Sequence, residues 1–413
     1  MTFVDCLRSP ERTPLTELAD HPLTRVIAAA RDGAVALRDA GRFLDLVGRT
    51  LGDMIAAERC CEVLTGHDAL AVRQTSNGWR VTVRDAAGEQ RVLWARNVVL
   101  ATGASQPAER LQAETVGGVS LVDRCGPKLV QSGDVLGGQG LEQVAGRLAA
   151  HASPRVAVIG GSTSAAAVAH ALLHRMPSVS FGAGGITLMH RRELRVYYAD
   201  TASALAEGYD EFTDEDICPI SGKVFRFAGF RLDSRELVMQ ARGIGGRPPE
   251  PRLALHRLQP SDPAALQILD DAHLVVAAMG YRPRVAPVLD RQGNAIPLLA
   301  HSGPQEPLVD GQCRVLGADA APIDGLFGIG LAAGFMPRGR LGGEPSFRGQ
   351  ANGLWLWQND VGALIVEAVR APSFPLVFEP AEAAESEGDW GVPGPLYPAN
   401  VQAAAMAAAT GEF

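Results

Sequence analysis

Arg155-Val156-Ala157-Val158-Ile159-Gly160-Gly161-Ser162-Thr163-Ser164-Ala165 reads as a buried strand, a glycine turn and the start of a helix that runs on through Leu173. The unbroken apolar run Val156 to Ile159 suits a strand covered on both faces, as parallel strands are. A dinucleotide turn needs a first glycine for the tight bend, a second small residue where backbone meets pyrophosphate, and a third where helix packs on strand. Those places hold Gly160, Ser162 and Ala165, with Gly161 and Ser164 beside them. Serine replaces the middle glycine, yet its hydroxyl can face a phosphate, and the N–H groups of a helix start remain available. The pattern predicts a nucleotide site on an α/β fold, against a plain tight strand-to-helix connection.

The next strand, Ile186 to Met189, ends in His190-Arg191-Arg192. A carboxylate at this place would pair with a ribose hydroxyl, whereas cations accept a 2′-phosphate, so the residue types favour NADPH over NADH. A solvated basic strand end is the alternative. From Gly160 to His190 is 190 − 160 = 30 residues, the excess over the usual ~20 lying in the Pro177 to Gly185 connection. Arg195, Tyr197 and Tyr198 could extend this site or wall a cleft.

Upstream, Asn97 to Leu100 is an apolar strand running into Ala101-Thr102-Gly103, a second place where small residues at a strand end suit a ligand. Leu274 to Ala278 repeats the pattern and ends in Met279-Gly280-Tyr281. Before these, Leu44, Val47, Leu51, Met54 and Ile55 mark a helix face expected to pack on a sheet. A short strand at Glu62 to Thr65 and an antiparallel meander follow. In the meander Asn77-Gly78 predicts a type I′ hairpin turn, because both central residues of that turn need positive φ. Near the C-terminus, Leu354, Trp357, Val361, Leu364, Ile365 and Ala368 predict an amphipathic helix.

Composition narrows the function. The 413 residues are 46% hydrophobic and 20% charged, a globular balance, and 38 Lys plus Arg against 46 Asp plus Glu give a net charge of −8 without a basic block. Nucleic acid is not an expected partner. No apolar run reaches the ~18 residues that cross a bilayer, and Met1 to Pro14 lacks a signal-peptide core, so a soluble, cytoplasmic protein is expected. Cys6, Cys60, Cys61, Cys125, Cys218 and Cys313 form no C-x-x-C pair, which argues against a structural zinc and against a redox-active pair of the disulfide-reductase kind. His170 and His174 stand four apart, but Ala171 holds the place where H-E-x-x-H needs glutamate, so no metal is expected.

The order of strand-Ala101-Thr102-Gly103, Gly160-Gly161-Ser162-Thr163-Ser164-Ala165 and strand-Met279-Gly280-Tyr281 resembles the two-dinucleotide-domain flavoproteins. Within them it is most similar to the flavin-dependent monooxygenases that include the lysine and ornithine N-hydroxylases, over roughly Glu62 to Arg370. The resemblance implies an α/β protein with two Rossmann-like domains, the NADPH domain inserted in a discontinuous FAD domain. Residues 1–150 would then be the first FAD part, 151–272 the NADPH domain, 273–378 the second FAD part and 379–413 a mobile tail rich in Ala, Gly and Pro. It also implies FAD contacts at Thr102, Gly103, Gly280 and Tyr281, and at Asp319 if Gly317-Ala318-Asp319 is the pair that meets the ribityl chain rather than a capping turn. The family's first motif, a strand with G-x-G-x-x-G, has no counterpart in Met1 to Cys61, so the expected FAD domain lacks its first βαβ unit. The implied activity is FAD- and NADPH-dependent oxidation, a monooxygenation of a small nucleophilic substrate. A nucleotide-binding protein that has lost its flavin site is the alternative, and the sequence names no catalytic base.

Overall fold

A computed structural model of the chain describes residues 4, 7–10, 13–30, 35–303, 305–349 and 361–370. Helices α1 (Pro22–Ala29) and α2 (Leu37–Ala57) come first. The first starts where His21 accepts a hydrogen bond from the Leu23 amide and Pro22 takes a position whose missing N–H costs nothing. On α2, Phe43 and Val47 bury with Leu7, Leu15 and Leu18 in a small core of their own. The helix forms as its periodicity predicts, but Leu44, Met54 and Ile55 are exposed and, among the described residues, its main neighbour is α1. An amphipathic stripe specifies that one face is apolar, not what covers it.

Strands β1 (Asp68–Thr75), β2 (Gly78–Arg84) and β3 (Gln90–Ala95) form the expected meander. Its hairpin closes one residue early, since Gln74 pairs with Trp79 and Thr75 with Gly78, leaving Ser76-Asn77 as the loop. Gly78 is needed for a different reason: φ is +144° and a Cβ there would sit 2.4 Å from the Ala95 carbonyl oxygen. Glu62 to Thr65 forms no strand. The Glu62 carboxylate instead takes two hydrogen bonds from Arg91, at 2.8 and 2.9 Å.

After β4 (Val98–Leu100) and β5 (Ala104–Ser105) the chain enters a five-stranded, wholly parallel sheet. Its members are β6 (Leu129–Gln131), β7 (Val156–Ile159), β8 (Ile186–His190), β9 (Leu253–Arg257) and β10 (Leu274–Ala277), in the order β9-β8-β7-β10-β6. Helix α3 (Thr163–His174) follows β7, α4 (Leu232–Arg242) precedes β9 and α5 (Pro263–Asp271) precedes β10. Val156 and Val158 bury in the core that holds α3, while Ala157 and Ile159 bury in the core that holds α5. Alternate residues of one strand therefore face helices on opposite sides, which is why its sequence shows no polar alternation.

The five-stranded sheet draws strands from three of the segments that motif order suggests. Strand β10, expected at the head of the 273–378 segment, hydrogen-bonds β7, and β6, expected within 1–150, hydrogen-bonds β10. Sheet membership is set by ladders between strands distant in sequence, which motif order alone cannot show. The chain then returns through β11 (Arg282–Pro283), antiparallel to β5, and β12 (Val288–Leu289), parallel to β1. Strand β13 (Arg314–Leu316) pairs antiparallel with β14 (Pro322–Gly328), and β14 runs parallel to β4, with Leu326 beside Val98 and Gly328 beside Leu100. This three-stranded sheet, order β13-β14-β4, leaves β4 on an edge with Val99 43% exposed. Helix α6 (Gly362–Arg370) buries Leu364 and Ile365 in the core beneath it. Leu354, Trp357 and the tail from 379 lie outside the described residues.

Candidate functional site

At the end of β7 the backbone of Gly160 lies against β10. Its amide donates to Met189 O at 2.9 Å, and a Cβ on it would meet Ala278 O at 2.5 Å and Ala165 Cβ at 3.2 Å. With φ at +149°, this place admits only glycine. Ala165 is fully buried where helix meets strand, so a larger residue there would push α3 away. Gly161 and Ser162 are both exposed, and a Gly161 Cβ would fall 3.1 Å from His190 Cβ. Ser162 caps α3 with extended backbone, and the carbonyl of Ser162 accepts from Ala165 at 3.0 Å and Ala166 at 3.2 Å. The amides of Ser162, Thr163 and Ser164 donate to no acceptor among the described residues, which leaves the helix start open to an anion. The residues present fit the pyrophosphate of a dinucleotide.

The basic end of β8 divides three ways. His190 is buried, its Nδ1 2.8 Å from the Arg192 carbonyl oxygen, so it supports the turn rather than facing a ligand. Arg191 donates to the Glu114 carboxylate at 3.1 Å and to Thr115 O at 3.0 Å. Of the three, Arg192 is the exposed one that pairs with no carboxylate among the described residues. Arg195, Tyr197 and Tyr198 turn elsewhere: Arg195 lies 4.9 Å over the Phe225 ring and donates to Ser346 Oγ, Arg231 stacks 3.6 Å over Tyr197, and Arg235 lies 4.6 Å over Tyr198. Burial first, then the nearby Glu207 carboxylate, pushes the Tyr198 phenol up to about 12.

At the end of β4, Thr102 Oγ1 donates to Arg284 O, and the Gly103 carbonyl accepts from the Arg284 amide at 3.0 Å. These residues join the outgoing and returning crossings of the chain. Gly103 has φ +71° with no atom within 4 Å of a notional Cβ, so its surroundings are open. Gly280 (φ +84°) and Tyr281 lie on the return, with Gly280 O accepting from Arg110 at 3.5 Å and burial raising the Tyr281 phenol. Asp319 does not join them. It sits in the β13-to-β14 turn, its Oδ1 accepting from the Ala321 amide at 3.0 Å, before the N-terminal end of β14. Because β14 runs parallel to β4, the end of β14 that lies beside Thr102 and Gly103 is Ile329 to Leu331, one strand length or ~20 Å away from Asp319. The Ile329 amide donates to Leu100 O at 3.0 Å. The apolar strand ending Gly328-Ile329-Gly330 carried the signal that Gly317-Ala318-Asp319 lacked, a strand end rather than a strand start.

A further constellation, not legible in the sequence, joins Thr213–Phe230 to the segment after Ile329. Buried Glu344 accepts from the Phe227 amide at 3.0 and 3.1 Å and from the Ala228 amide at 2.8 Å. Ser346 Oγ donates to Asp216 at 2.5 Å, and the Gly343 amide to Cys218 Sγ at 3.3 Å. Burial pushes the Cys218 thiol up, but hydrogen bonds from Ser221, the Gly343 amide and Arg226 outweigh it and bring it down to about 6. A cavity of about 480 Å³ opens beside this seam, lined by Pro219, Ile220, Met336, Arg338, Phe347 and Arg348 among others. The His170 and His174 rings lie 4.6 Å apart, tilted by 47°, and no metal-holding cluster is found among the described residues. No helix among them is long and apolar enough to cross a membrane.

Comparison with known proteins gives one curated relative of high similarity. The CMP-5′-(3-aminopropyl)phosphonate hydroxylase of Streptomyces rubellomurinus is 32% identical over 380 residues, covering 89% of this chain and 84% of the relative. No family model matches. Among solved structures, L-lysine 6-monooxygenase from Pseudomonas syringae is 15% identical with a TM-score of 0.44, covering 88% of this chain and 83% of that one. The ornithine N-hydroxylase of Kutzneria sp. 744 is 16% identical with a TM-score of 0.42, covering 89% and 82%.

Proposed function

The chain belongs to the family of the CMP-5′-(3-aminopropyl)phosphonate hydroxylase, and from that premise we propose that it is an FAD- and NADPH-dependent monooxygenase of a small nucleophilic substrate. The observation that carries the nucleotide half of this reading is the Gly160 turn, where a Cβ would strike Ala278 O at 2.5 Å and the following amides stay free. In it, the amides of Ser162 to Ser164 hold the pyrophosphate and Arg192 receives the 2′-phosphate. Thr102, Gly103 and Ile329 to Leu331 are the residues that would face a flavin, Gly280 and Tyr281 closing the same end of the molecule. A bound flavin supplies hydride acceptance and oxygen activation, while the protein supplies position and electrostatics. The substrate is a small amine-bearing molecule, and a cytidylyl aminoalkylphosphonate is the class to which the relative's name points.

Purified protein supplied with FAD, NADPH and CMP-5′-(3-aminopropyl)phosphonate should consume oxygen and add one oxygen atom to the substrate, read by mass spectrometry. NADPH binding without oxygen consumption on any amine would leave only a nucleotide-binding protein. Failure to bind NADPH at all would remove the reading.

A further inference from the structure

We propose that the cavity between Pro219–Ile220 and the Met336–Arg348 segment is the subsite for the phosphoryl and nucleoside end of the substrate. The proposal rests on the monooxygenase reading and adds to it a place and a ligand chemistry. At about 480 Å³ the cavity falls within the ~300–1,000 Å³ of small-molecule sites.

Its lining carries two arginines. Acidic residues outnumber basic ones 46 to 38, and some arginines elsewhere are matched to carboxylates: Arg235 to Glu207 at 2.6 Å, Arg247 to Glu236 at 2.9 Å, Arg252 to Glu250 at 2.7 Å. Arg338 and Arg348 line one cavity, and neither meets a carboxylate among the described residues. Arg348 donates only to the carbonyls of Pro345 and Phe347 there. The carboxylate on the same wall, Glu344, is 4% exposed and is held by the Phe227 and Ala228 amides, and its single negative charge leaves the two arginines in excess. Two guanidinium groups on one concave wall favour an anion, and a phosphoryl oxygen pair matches the guanidinium fork.

The rest of the lining is apolar. Ile220, Met336 and Phe347 offer flat or flexible hydrophobic surface, and the Phe347 ring is itself backed by Phe227 at 5.6 Å between centroids. Cations beside an aromatic wall suit a phosphoryl group joined to a planar base. The wall is held in place from behind by Ser346 on Asp216 and by the Gly343 amide on Cys218. The reacting end of a substrate seated this way is left free to extend from the cavity.

The test uses the full chain and CMP as probe, titrated calorimetrically with NADP⁺ in parallel. Wild type should bind CMP, and the Arg338→Gln/Arg348→Gln variant should bind it at least about tenfold more weakly with NADP⁺ affinity unchanged. Cytidine, lacking the phosphate, should bind weakly to both. Equal CMP affinity in wild type and variant, displacement of CMP by NADP⁺, or no CMP binding at all would overturn the proposal. Oxygen consumption on a free aminoalkylphosphonate in the absence of CMP binding would remove the subsite and keep the monooxygenase; no NADPH-driven oxygen consumption on any amine would remove the monooxygenase itself.

Discussion

Two strand ends in this chain carry one signature, an apolar strand running into small residues, and they finish in different surroundings. Val156–Ile159 has a parallel partner on each side, β8 and β10, and none of its residues is more than 2% exposed. Among the described residues Val98–Leu100 pairs with β14 alone, and Val99 is 43% exposed. The glycines differ in the same sense. Gly160 is fixed both by φ and by the β10 backbone against it, Gly103 by φ alone. The signature thus reports backbone able to receive a ligand, while the packing around it decides how rigidly that backbone is held.

The difference should be largest in the core. Replacing Ile159 by Ala removes a buried side chain that packs between sheet and α5 and should cost about 2–5 kcal/mol. Val99→Ala, on the exposed edge, should cost less than about 0.5 kcal/mol. Urea denaturation of both variants measures the contrast, and equal losses would break it. Next in size come the glycines. Gly160→Ala adds a 2.5 Å contact to an unfavourable φ and should cost about 2–3 kcal/mol together with NADP⁺ binding, whereas Gly103→Ala should cost only the about 1 kcal/mol of φ strain. A Gly160→Ala protein that keeps both its stability and its cofactor would show that β7 and β10 can part without penalty.

That contrast also marks what the sequence can tell. The β7, β8 and β10 strands are legible because full burial writes uninterrupted apolar runs, and the meander because half-burial writes alternation. Strand β9, Leu-Ala-Leu-His-Arg, escapes because an edge position tolerates polar residues, and β6 because its three residues carry no period. Asp319 misleads because a glycine-aspartate pair looks alike at either end of a strand, and only the parallel register of β14 with β4 separates the two. Arg191 and Arg192 are indistinguishable as residue types. Glu114, 77 positions away in sequence, takes one and leaves the other. The seam of Glu344, Ser346 and Cys218 is invisible for the same reason, its partners lying 116 to 130 positions apart.

The two arginines sharpen the comparison at the scale of one charge-assisted contact. Arg192→Ala should reduce the preference for NADPH over NADH about tenfold. Arg191→Ala should change it less than about threefold, because that guanidinium is held by Glu114 and Thr115. Titration of both cofactors into each variant decides it. An equal effect of the two substitutions would mean that Arg191 leaves Glu114 when the cofactor arrives.

The smallest effect sets Cys218 against Cys313, both buried, one at the seam and one in the core beneath the three-stranded sheet. Hydrogen bonds at the seam bring Cys218 down from 9.0 to about 6, whereas burial, with Asp310 adding to it, pushes Cys313 up to about 12. A thiol whose folded pKa lies below its unfolded value binds fewer protons folded than unfolded between the two, so its contribution to stability grows with pH across that window. For Cys218 the gain should be complete above pH 9 and lost as pH falls to about 6. For Cys313 the sign reverses: its contribution is whole below pH 9 and fades between 9 and about 12. Denaturation midpoints measured from pH 6 to pH 9 should therefore rise less steeply in Cys218→Ala than in the parent. Cys313→Ala should be less stable throughout, yet keep the parent's slope over that range. If Cys218→Ala kept the parental slope as well, the seam would hold a neutral thiol, and the Gly343 amide and Arg226 would be packing against sulfur rather than binding a thiolate.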